Sequence, residues 1–216
     1  MSRAAKTPKT RSKPSEPPTI QKTERSLEEQ MEDIFRNVLK MLSNRKYVQD
    51  DQLMPLLDLD NMQLVENEDS EYTVTANNGV EYAIKITMEP GTTYKAGSPI
   101  ANFAEAYQGR KIYVCGTPAS EVVNYGNRNQ IQVIDKQFLR FDILEHELQP
   151  KFELLSPKEQ QLVLKDYAIA KAVLPDMLHS DRVARYFDLP VGAIIRIVRP
   201  SAQTGIAVTY RRIVSK

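Results

Sequence analysis

Few side chains in this sequence of 216 residues could act in catalysis or bind a metal ion. Its one cysteine, Cys115, and its two histidines, His146 and His179, lie far apart along the chain. A structural zinc site usually takes four Cys or His ligands, so a zinc site here would need carboxylates as well. A reactive Cys115 would need a positively charged, partly exposed setting and a histidine partner. The apolar residues around Cys115 favour a small buried side chain instead.

Sequence motifs for phosphate binding and nucleophilic catalysis are missing as well. The sequence contains no G-x-x-x-x-G-K-[ST] phosphate loop, no G-x-G-x-x-G dinucleotide motif and no G-x-S-x-G nucleophile motif. An enzyme that acts through Cys115 or His146 stays open as an alternative. His146, however, lies between Glu145 and Glu147, where a contact with a carboxylate is the default for a histidine. We therefore expect no catalytic residue, no metal site and no cofactor.

Basic residues concentrate at the C-terminal end of the chain. Only Asp181 and Asp188 oppose the seven positive residues found from position 181 onward, which are Arg182, Arg185, Arg196, Arg199, Arg211, Arg212 and Lys216. Six of these are arginines, whose guanidinium groups favour forked contacts with carboxylate or phosphate groups. Two interpretations stay open at this point. The arginines could form a solvated strand face or a docking surface for an acidic partner.

Two further segments have a strong charge bias. Residues 1–22 form a proline-rich tail with five Lys or Arg residues before its first acid, Glu16. This tail has few groups to bury, so a disordered, solvated segment is favoured over a basic arm that meets nucleic acid or carries a nuclear address. Residues 50–71 contain eight acids and no Lys or Arg. We expect a solvated acidic face there, and a metal cluster is the alternative, although the calcium-loop pattern is missing.

The overall composition is that of an ordinary soluble protein, with 41% hydrophobic residues and a formal net charge of +1. No apolar run approaches the ~18 residues of a membrane helix. The first residues are polar and basic and lack the apolar core of a secretory signal. We therefore expect neither a membrane protein nor a secreted one. A single cysteine excludes an internal disulfide framework and indicates a reducing compartment.

The elements predicted for residues 23–139 form a small α/β domain. A capping box at Ser26 and Glu29 opens a helix that ends near residue 44. Alternating apolar residues on both sides of Asn78-Gly79 predict a β-hairpin over residues 72–88. Ser98-Pro99 predicts a second helix, to about residue 107. Short buried strands are predicted at 111–115 and 131–134.

The elements predicted for residues 140–216 form a compact module of two helices followed by a β-hairpin. The S-P-K-E run at 156–159 predicts one helix, and Asp181 caps a second, shorter one. Strands are predicted at 192–199 and 206–214. Strand alternation then places one row of apolar side chains on the helices and the other row outward, with its arginines and Tyr210. The fold class predicted for the whole chain is α+β.

The C-terminal residues carry a set of motifs at characteristic spacings. They are E-H-E-L-Q-P at 145–150, L-P at 174–175, D-R-V-A-R-Y-F at 181–187, G-A-I-I-R-I-V-R-P-S at 192–201, Gly205 and T-Y-R at 209–211. This set resembles the C-terminal module of the fifth subunit of eukaryotic-type RNA polymerases, and the archaeal counterpart of that subunit consists of this module alone. The N-terminal half is similar to the eukaryotic form, through its opening helix and T-P-A-S at 117–120.

This sequence also departs from the family pattern. Asp188 stands where the family usually has Gly, and Arg182 where it has Pro. Ala202-Gln203-Thr204 replaces the E-T-A that precedes Gly205 in the family. Nuclear polymerases and large DNA viruses both have such subunits, and this divergence is compatible with a viral source.

The resemblance implies a non-catalytic polymerase subunit in the lower jaw of the enzyme. The expected partners are the largest subunit, other polymerase subunits and transcription regulators. Contact with downstream DNA is expected only within the complex, and no contact with a membrane is expected. The expected location is the nucleus for a cellular protein, or the host cytoplasm or virion for a viral one. The expected polymerase-docking residues are Arg185, Tyr186, Arg199, Ser201, Gly205, Tyr210 and Arg211. The alternative is a stand-alone interaction module of the same fold that serves another complex.

Overall fold

The computed structural model describes residues 26–67, 69–167 and 173–215. The basic tail predicted at 1–22 lies outside the described residues. The described chain is a mixture of helices and antiparallel and parallel strands, which confirms the predicted α+β class. Within the described ranges, no helix has the length and apolar character needed to cross a bilayer.

Helix α1 (Leu27–Asn44) begins at the predicted capping box. The Glu29 amide donates to Ser26 Oγ at 3.1 Å, and the Ser26 amide donates to Glu29 Oε2 at 3.0 Å. One face of the helix is buried, through Ile34, Val38, Leu39, Met41 and Leu42. Leu27, the first residue of the helix, is exposed because it precedes the turns that pack on the core.

The N-terminal half contains a hairpin and a five-stranded sheet. The hairpin pairs β1 (Lys46–Gln49) with β2 (Gln52–Pro55). The sheet has the order β3-β4-β5-β6-β7, and its strands are β3 (Gln63–Glu66), β4 (Glu71–Thr75), β5 (Glu81–Pro90), β6 (Arg110–Gly116) and β7 (Ile131–Asp135). The β3-β4-β5 part is antiparallel and the β5-β6-β7 part is parallel. Helices α2 (Pro99–Ala106) and α3 (Ser120–Arg128) connect the parallel strands, and a 3-10 turn (Lys136–Leu139) follows β7.

The hairpin predicted at Asn78-Gly79 joins β4 to β5, but its turn differs from the expected form. Of the two residues Asn78 and Gly79, only Gly79 has a positive φ, of 77°. The Gly79 amide donates to the Ala76 carbonyl, and the Ala76 amide donates to the Val80 carbonyl. A three-residue loop closed by a left-handed glycine therefore replaces the two-residue loop that has both residues at positive φ.

The C-terminal half is built on a four-stranded sheet of order β8-β10-β11-β9. Its strands are β8 (Lys151–Leu154), β9 (Asp176–Leu178), β10 (Ile194–Ser201) and β11 (Gly205–Val214). Helix α4 (Pro157–Asp166) and the five-residue helix α5 (Arg182–Tyr186) begin at the predicted caps, Ser156 and Asp181. The predicted order of two helices and two strands omitted β8 and β9, which are short and lie at the edges of the sheet.

One apolar core joins the two halves of the chain. The main cluster combines α1, β5 and β6 residues with side chains from α5, β10 and β11, such as Tyr186, Ile195 and Ile213. The other face of the five-stranded sheet packs against α2 and α3 through a separate cluster that contains Phe103 and Cys115. A smaller cluster lies between α4 and the four-stranded sheet. The domain boundary predicted between residues 139 and 140 stays a prediction. The largest core cluster contains residues from both sides of it.

The guanidinium of Arg45 links the end of α1 to α5 and β7. Arg45 is only 3% exposed, and its Nε donates to the Tyr186 carbonyl at 2.7 Å. Its Nη2 donates to Gln132 Oε1 at 2.7 Å and to the Arg185 carbonyl at 3.1 Å. Burial lowers the pKa of Arg45, and the nearby Asp188 carboxylate partly opposes that shift. Removing partners from a buried charge is costly, because the charge is then left without its full set of polar contacts.

We expect Arg45→Ala to lower the free energy of unfolding by about 3 kcal/mol, because the Tyr186 carbonyl and the Gln132 amide oxygen lose their buried donor. Urea unfolding followed by circular dichroism measures this difference. Arg36→Ala on the same helix is the matched control. Arg36 is exposed and pairs with Glu32 at 3.0 Å, so its loss should cost less than about 0.5 kcal/mol. Similar losses for both variants would contradict the structural role of Arg45.

Candidate docking surface

The hairpin of β10 and β11 is buried at its base and exposed at its tip. At the base, Ile195 and Ile213 enter the main core, while Ile194 packs on the opposite face against the α4 cluster. Toward the tip, Ile206 and Val208 are 64% and 47% exposed. The expectation of one apolar row and one outward arginine row is therefore wrong. Each face of the hairpin is covered near its base, because the main core lies on one side and α4 on the other.

Two of the hairpin arginines are bound within the chain. Arg196 pairs with Glu153 on β8 at 3.1 Å, and its guanidinium lies 5.8 Å from the centre of the Tyr210 ring. Lys151 also pairs with Glu153 at 2.8 Å, and the hydrogen bonds from Lys151 and then Arg196 lower the pKa of this carboxyl. Arg212 pairs with Asp176 on β9 at 2.7 Å. These pairs join the hairpin to both edge strands of its sheet.

Two other arginines on the hairpin are exposed. Arg199 makes no ion pair with any described residue. Arg211 has only a long hydrogen bond, of 3.4 Å, from its Nη1 to the Asp176 carbonyl. Both lie on the same face of the hairpin, since Arg199 is paired across the ladder with Ala207 and Arg211 with Ile195. An acidic partner could therefore reach both side chains without displacing a carboxylate of this chain.

The structure divides the seven expected docking residues into two groups. Ser201, Gly205 and Tyr210 lie on the hairpin with Arg199 and Arg211, and Tyr210 is half-buried. Arg185 and Tyr186 face the interior instead, because they belong to the contact between α5 and the N-terminal half. The Arg185 guanidinium donates to the Val133 carbonyl. Tyr186 is 2% exposed, and its hydroxyl accepts from Asn44 Nδ2 at 3.0 Å.

Sequence reasoning missed the exposed apolar side chains of Ile206 and Val208. The alternation predicted for this strand placed an apolar row on the helices and made no distinction between the tip and the base of the hairpin. The same alternation of apolar residues also occurs in a strand whose outer end is not covered by another part of the protein. Only the length of the hairpin, which extends beyond the three-residue β9 and the four-residue β8, could have indicated this.

The two residues considered for catalysis, Cys115 and His146, each have contacts of their own. Cys115 is completely buried, and burial raises the pKa of its thiol to about 11, as expected for a structural side chain. His146 Nδ1 accepts from the Leu148 amide at 3.2 Å. The expected contact of His146 with a carboxylate is not found among the described residues, and Glu145 pairs with Lys40 at 2.8 Å instead. No group of three or more His, Cys, Asp or Glu side chains suited to a metal ion occurs in the described ranges.

Comparison with known proteins decides the family. Residues 141–213 match the family described as RNA polymerase Rpb5, C-terminal domain. The chain is 34% identical over 185 residues to DNA-directed RNA polymerase subunit 5 of Acanthamoeba polyphaga mimivirus, which covers 84% of this chain and 90% of that protein. The chain belongs to the RNA polymerase subunit 5 family. The predicted resemblance is thereby confirmed.

Other members of the subunit 5 family match about a third of the chain. DNA-directed RNA polymerase subunit Rpo5 of Methanosphaera stadtmanae is 40% identical over 73 residues, which are 34% of this chain and 95% of that protein. The subunit RPABC1 of DNA-directed RNA polymerases I, II and III of Caenorhabditis elegans is 38% identical over 76 residues, 35% of this chain and 36% of that protein. The hairpin of β10 and β11 lies in the segment matched by the RNA polymerase Rpb5 C-terminal domain, up to residue 213.

One departure from the subunit 5 pattern has a clear structural setting. Asp188, which replaces the usual Gly, has a positive φ of 51°. Glycine adopts this left-handed conformation most easily, and aspartate tolerates it better than most residues. The Asp188 carboxylate pairs with Arg110 at 3.3 Å, so the replacement adds an ion pair between the two halves of the chain.

We expect the arginines of the hairpin to differ in their effect on stability. Arg196→Ala should lower the free energy of unfolding by about 1.5 kcal/mol, because Glu153 and the Tyr210 ring lose a half-buried partner. Arg199→Ala is the matched control on the same strand, and its effect should stay within about 0.5 kcal/mol. Chemical denaturation of both variants tests the difference. A loss for Arg199→Ala as large as that for Arg196→Ala would show that Arg199 also has a partner within the chain.

Proposed function

We propose that this chain is a non-catalytic structural subunit of a multisubunit DNA-directed RNA polymerase. The observation that carries the proposal is its similarity to a viral subunit 5 over 90% of that protein's length. Other subunits would then supply the polymerase chemistry, and this chain would support the assembly of the enzyme and its lower jaw during transcription.

The C-terminal hairpin carries the proposed docking surface for the largest subunit, which extends from its tip toward its base. Five residues form it: Arg199, Ser201, Gly205, Tyr210 and Arg211. Arginine and tyrosine are the residue types that most often anchor protein interfaces. The internal ion pairs of Arg196 and Arg212 fix the hairpin base, so little ordering of the backbone would be needed on binding. The exposed arginines suit a surface of the largest subunit that carries carboxylates.

The N-terminal half is proposed to form part of the lower jaw, near downstream DNA and available to transcription regulators. Its acids make direct binding of DNA by the isolated chain unfavourable. Asp50 and Asp51 form the exposed turn between β1 and β2, where they would repel phosphate groups. Arg110 is already paired with Asp188, whereas Arg128 is exposed at the end of α3. Contact with DNA is therefore proposed within the complex only.

The location proposed for the chain follows that of its polymerase. This is the nucleus for a cellular enzyme, and the host cytoplasm or the virion for a viral one. The alternative, a stand-alone module that serves another complex, predicts a different outcome on purification. Such a module would not copurify with the two largest polymerase subunits in stoichiometric amounts.

Arg199→Ala and Arg211→Ala should each weaken incorporation into the polymerase. Loss of a desolvated arginine anchor costs about 2 kcal/mol or more, which corresponds to roughly 30-fold in affinity. The measurement is the amount of largest subunit recovered per tagged chain from cells that assemble the enzyme. Arg128→Ala is the control, since it removes an exposed arginine far from the hairpin in sequence. Equal recovery with all three variants would refute docking through the hairpin.

The isolated chain should bind duplex DNA weakly at physiological salt. Its formal net charge is only +1 and its exposed β1–β2 turn is acidic, so few phosphates can be neutralised. A fluorescence anisotropy titration with a duplex of about 20 base pairs would measure this, with a dissociation constant above about 10⁻⁵ M expected. Submicromolar binding that persists at high salt would contradict the proposal that the chain contacts DNA only within the complex.

A further inference from the structure

The outer edge of β11 has backbone groups that no described strand covers. Strand β9 pairs with β11 only at Arg212, Ile213 and Val214. The Arg212 amide donates to the Pro175 carbonyl on that side, whereas the Ile213 amide donates to the Ala193 carbonyl on the β10 side. Because backbone direction alternates along a strand, the amides of Ile206, Val208 and Tyr210 point to the same outer edge as Arg212.

The two edges of the hairpin tip differ in how they are protected. On the β10 side, β8 covers the strand as far as Val198, and the next residue that faces outward is Pro200, which has no amide hydrogen. Proline and charged residues are common means of preventing edge strands from pairing with other chains. The β11 side has no proline, and its outward residues near the tip are the exposed Ile206 and Val208. This edge is therefore open to another strand.

The side chains near this edge define what would fit it. Ile206 and Val208 lie on one face of the hairpin with Val198 and Pro200, as their cross-strand pairing shows. The opposite face carries Arg211 beside the same edge. The Ile206 carbonyl already accepts from the Thr204 hydroxyl at 3.1 Å. Val208 is therefore the residue nearest the tip that offers both its amide and its carbonyl to an added strand. A matching strand needs apolar residues on the first face and a carboxylate near Arg211.

We propose that an extended segment of another polymerase subunit adds to β11 as a fifth strand of the C-terminal sheet. This inference rests on the proposed function and specifies how the hairpin docks. Backbone hydrogen bonds to Val208 give the segment its register, and contacts with Ile206, Val208 and Val198 bury its apolar side chains. A carboxylate of the segment pairs with Arg211, which makes no ion pair with the described residues. Pro200 restricts the addition to the β11 side of the hairpin.

Val208→Pro tests the strand addition directly. The Val208 amide has no hydrogen-bond partner among the described residues, so proline removes no bond of the isolated chain and blocks the edge. We expect recovery of the largest subunit per tagged full-length chain to fall at least 10-fold. Val208→Thr is the matched control, because it keeps the amide and the β-branched shape, and recovery should stay within about 3-fold of the wild type.

The failure of strand addition and the failure of the proposed function give different results. If Val208→Pro assembles normally while Arg211→Ala does not, the hairpin docks through side chains alone and strand addition is wrong. If both assemble normally, docking through the hairpin is wrong as well. If the wild-type chain itself recovers no largest subunit, the proposed function fails. Thermal unfolding of the isolated Val208→Pro chain shows whether the variant folds.

Hydrogen exchange of the wild-type chain provides a second test that needs no variant. The amides of Ile206 and Val208 should exchange at least 10-fold more slowly in the assembled polymerase than in the isolated chain. Equal exchange in both states would overturn strand addition, even if Val208→Pro failed to fold. Sedimentation of the isolated chain should give a monomer. A dimer with these amides protected would assign the edge to a second copy and would also overturn the inference.

Discussion

The buried guanidinium of Arg45 is the interaction on which the rest of the structure depends. It joins the end of α1 to the backbone of α5 and to Gln132 on β7. Since α5 precedes β10 in the chain, this contact fixes the start of the C-terminal hairpin relative to the N-terminal half. The core around Tyr186, Ile195 and Ile213 then completes the connection. The contact between the two halves thus combines a shared apolar core with a charged group that is held at their boundary by well-placed acceptors.

A rigid base and an exposed tip give the hairpin its proposed role. Arg196 and Arg212 are bound to the edge strands of the sheet, which leaves Arg199 and Arg211 for a partner. The apolar edge at Ile206 and Val208 has no layer to cover it, and such an edge is a hazard for a protein that remains alone. For a subunit of a large enzyme, we propose that the same edge is a place for attachment. Membership of the subunit 5 family would then account for a surface that is unfavourable in a protein that remains alone.

Local signals in the sequence predicted most of the elements, whereas contacts distant in sequence determined which residues face a partner. The caps at Ser26, Ser98, Ser156 and Asp181 were predicted because each has a side chain that accepts a backbone amide. Helix α3 was missed because its cap, Ala119, makes no such bond. The inward orientation of Arg185 and Tyr186 could not be predicted, since it results from contacts with Val133 and Asn44, more than 50 residues away in sequence.

The most direct test of the central claim is a cryo-electron microscopy structure of the polymerase purified through this chain. The central claim is that the chain is a polymerase subunit held by its C-terminal hairpin. We expect the chain at full occupancy, with the hairpin tip buried against the largest subunit and the turn between β1 and β2 facing solvent or DNA. A polymerase that lacks the chain, or one that holds it with the hairpin tip in solvent, would contradict the claim.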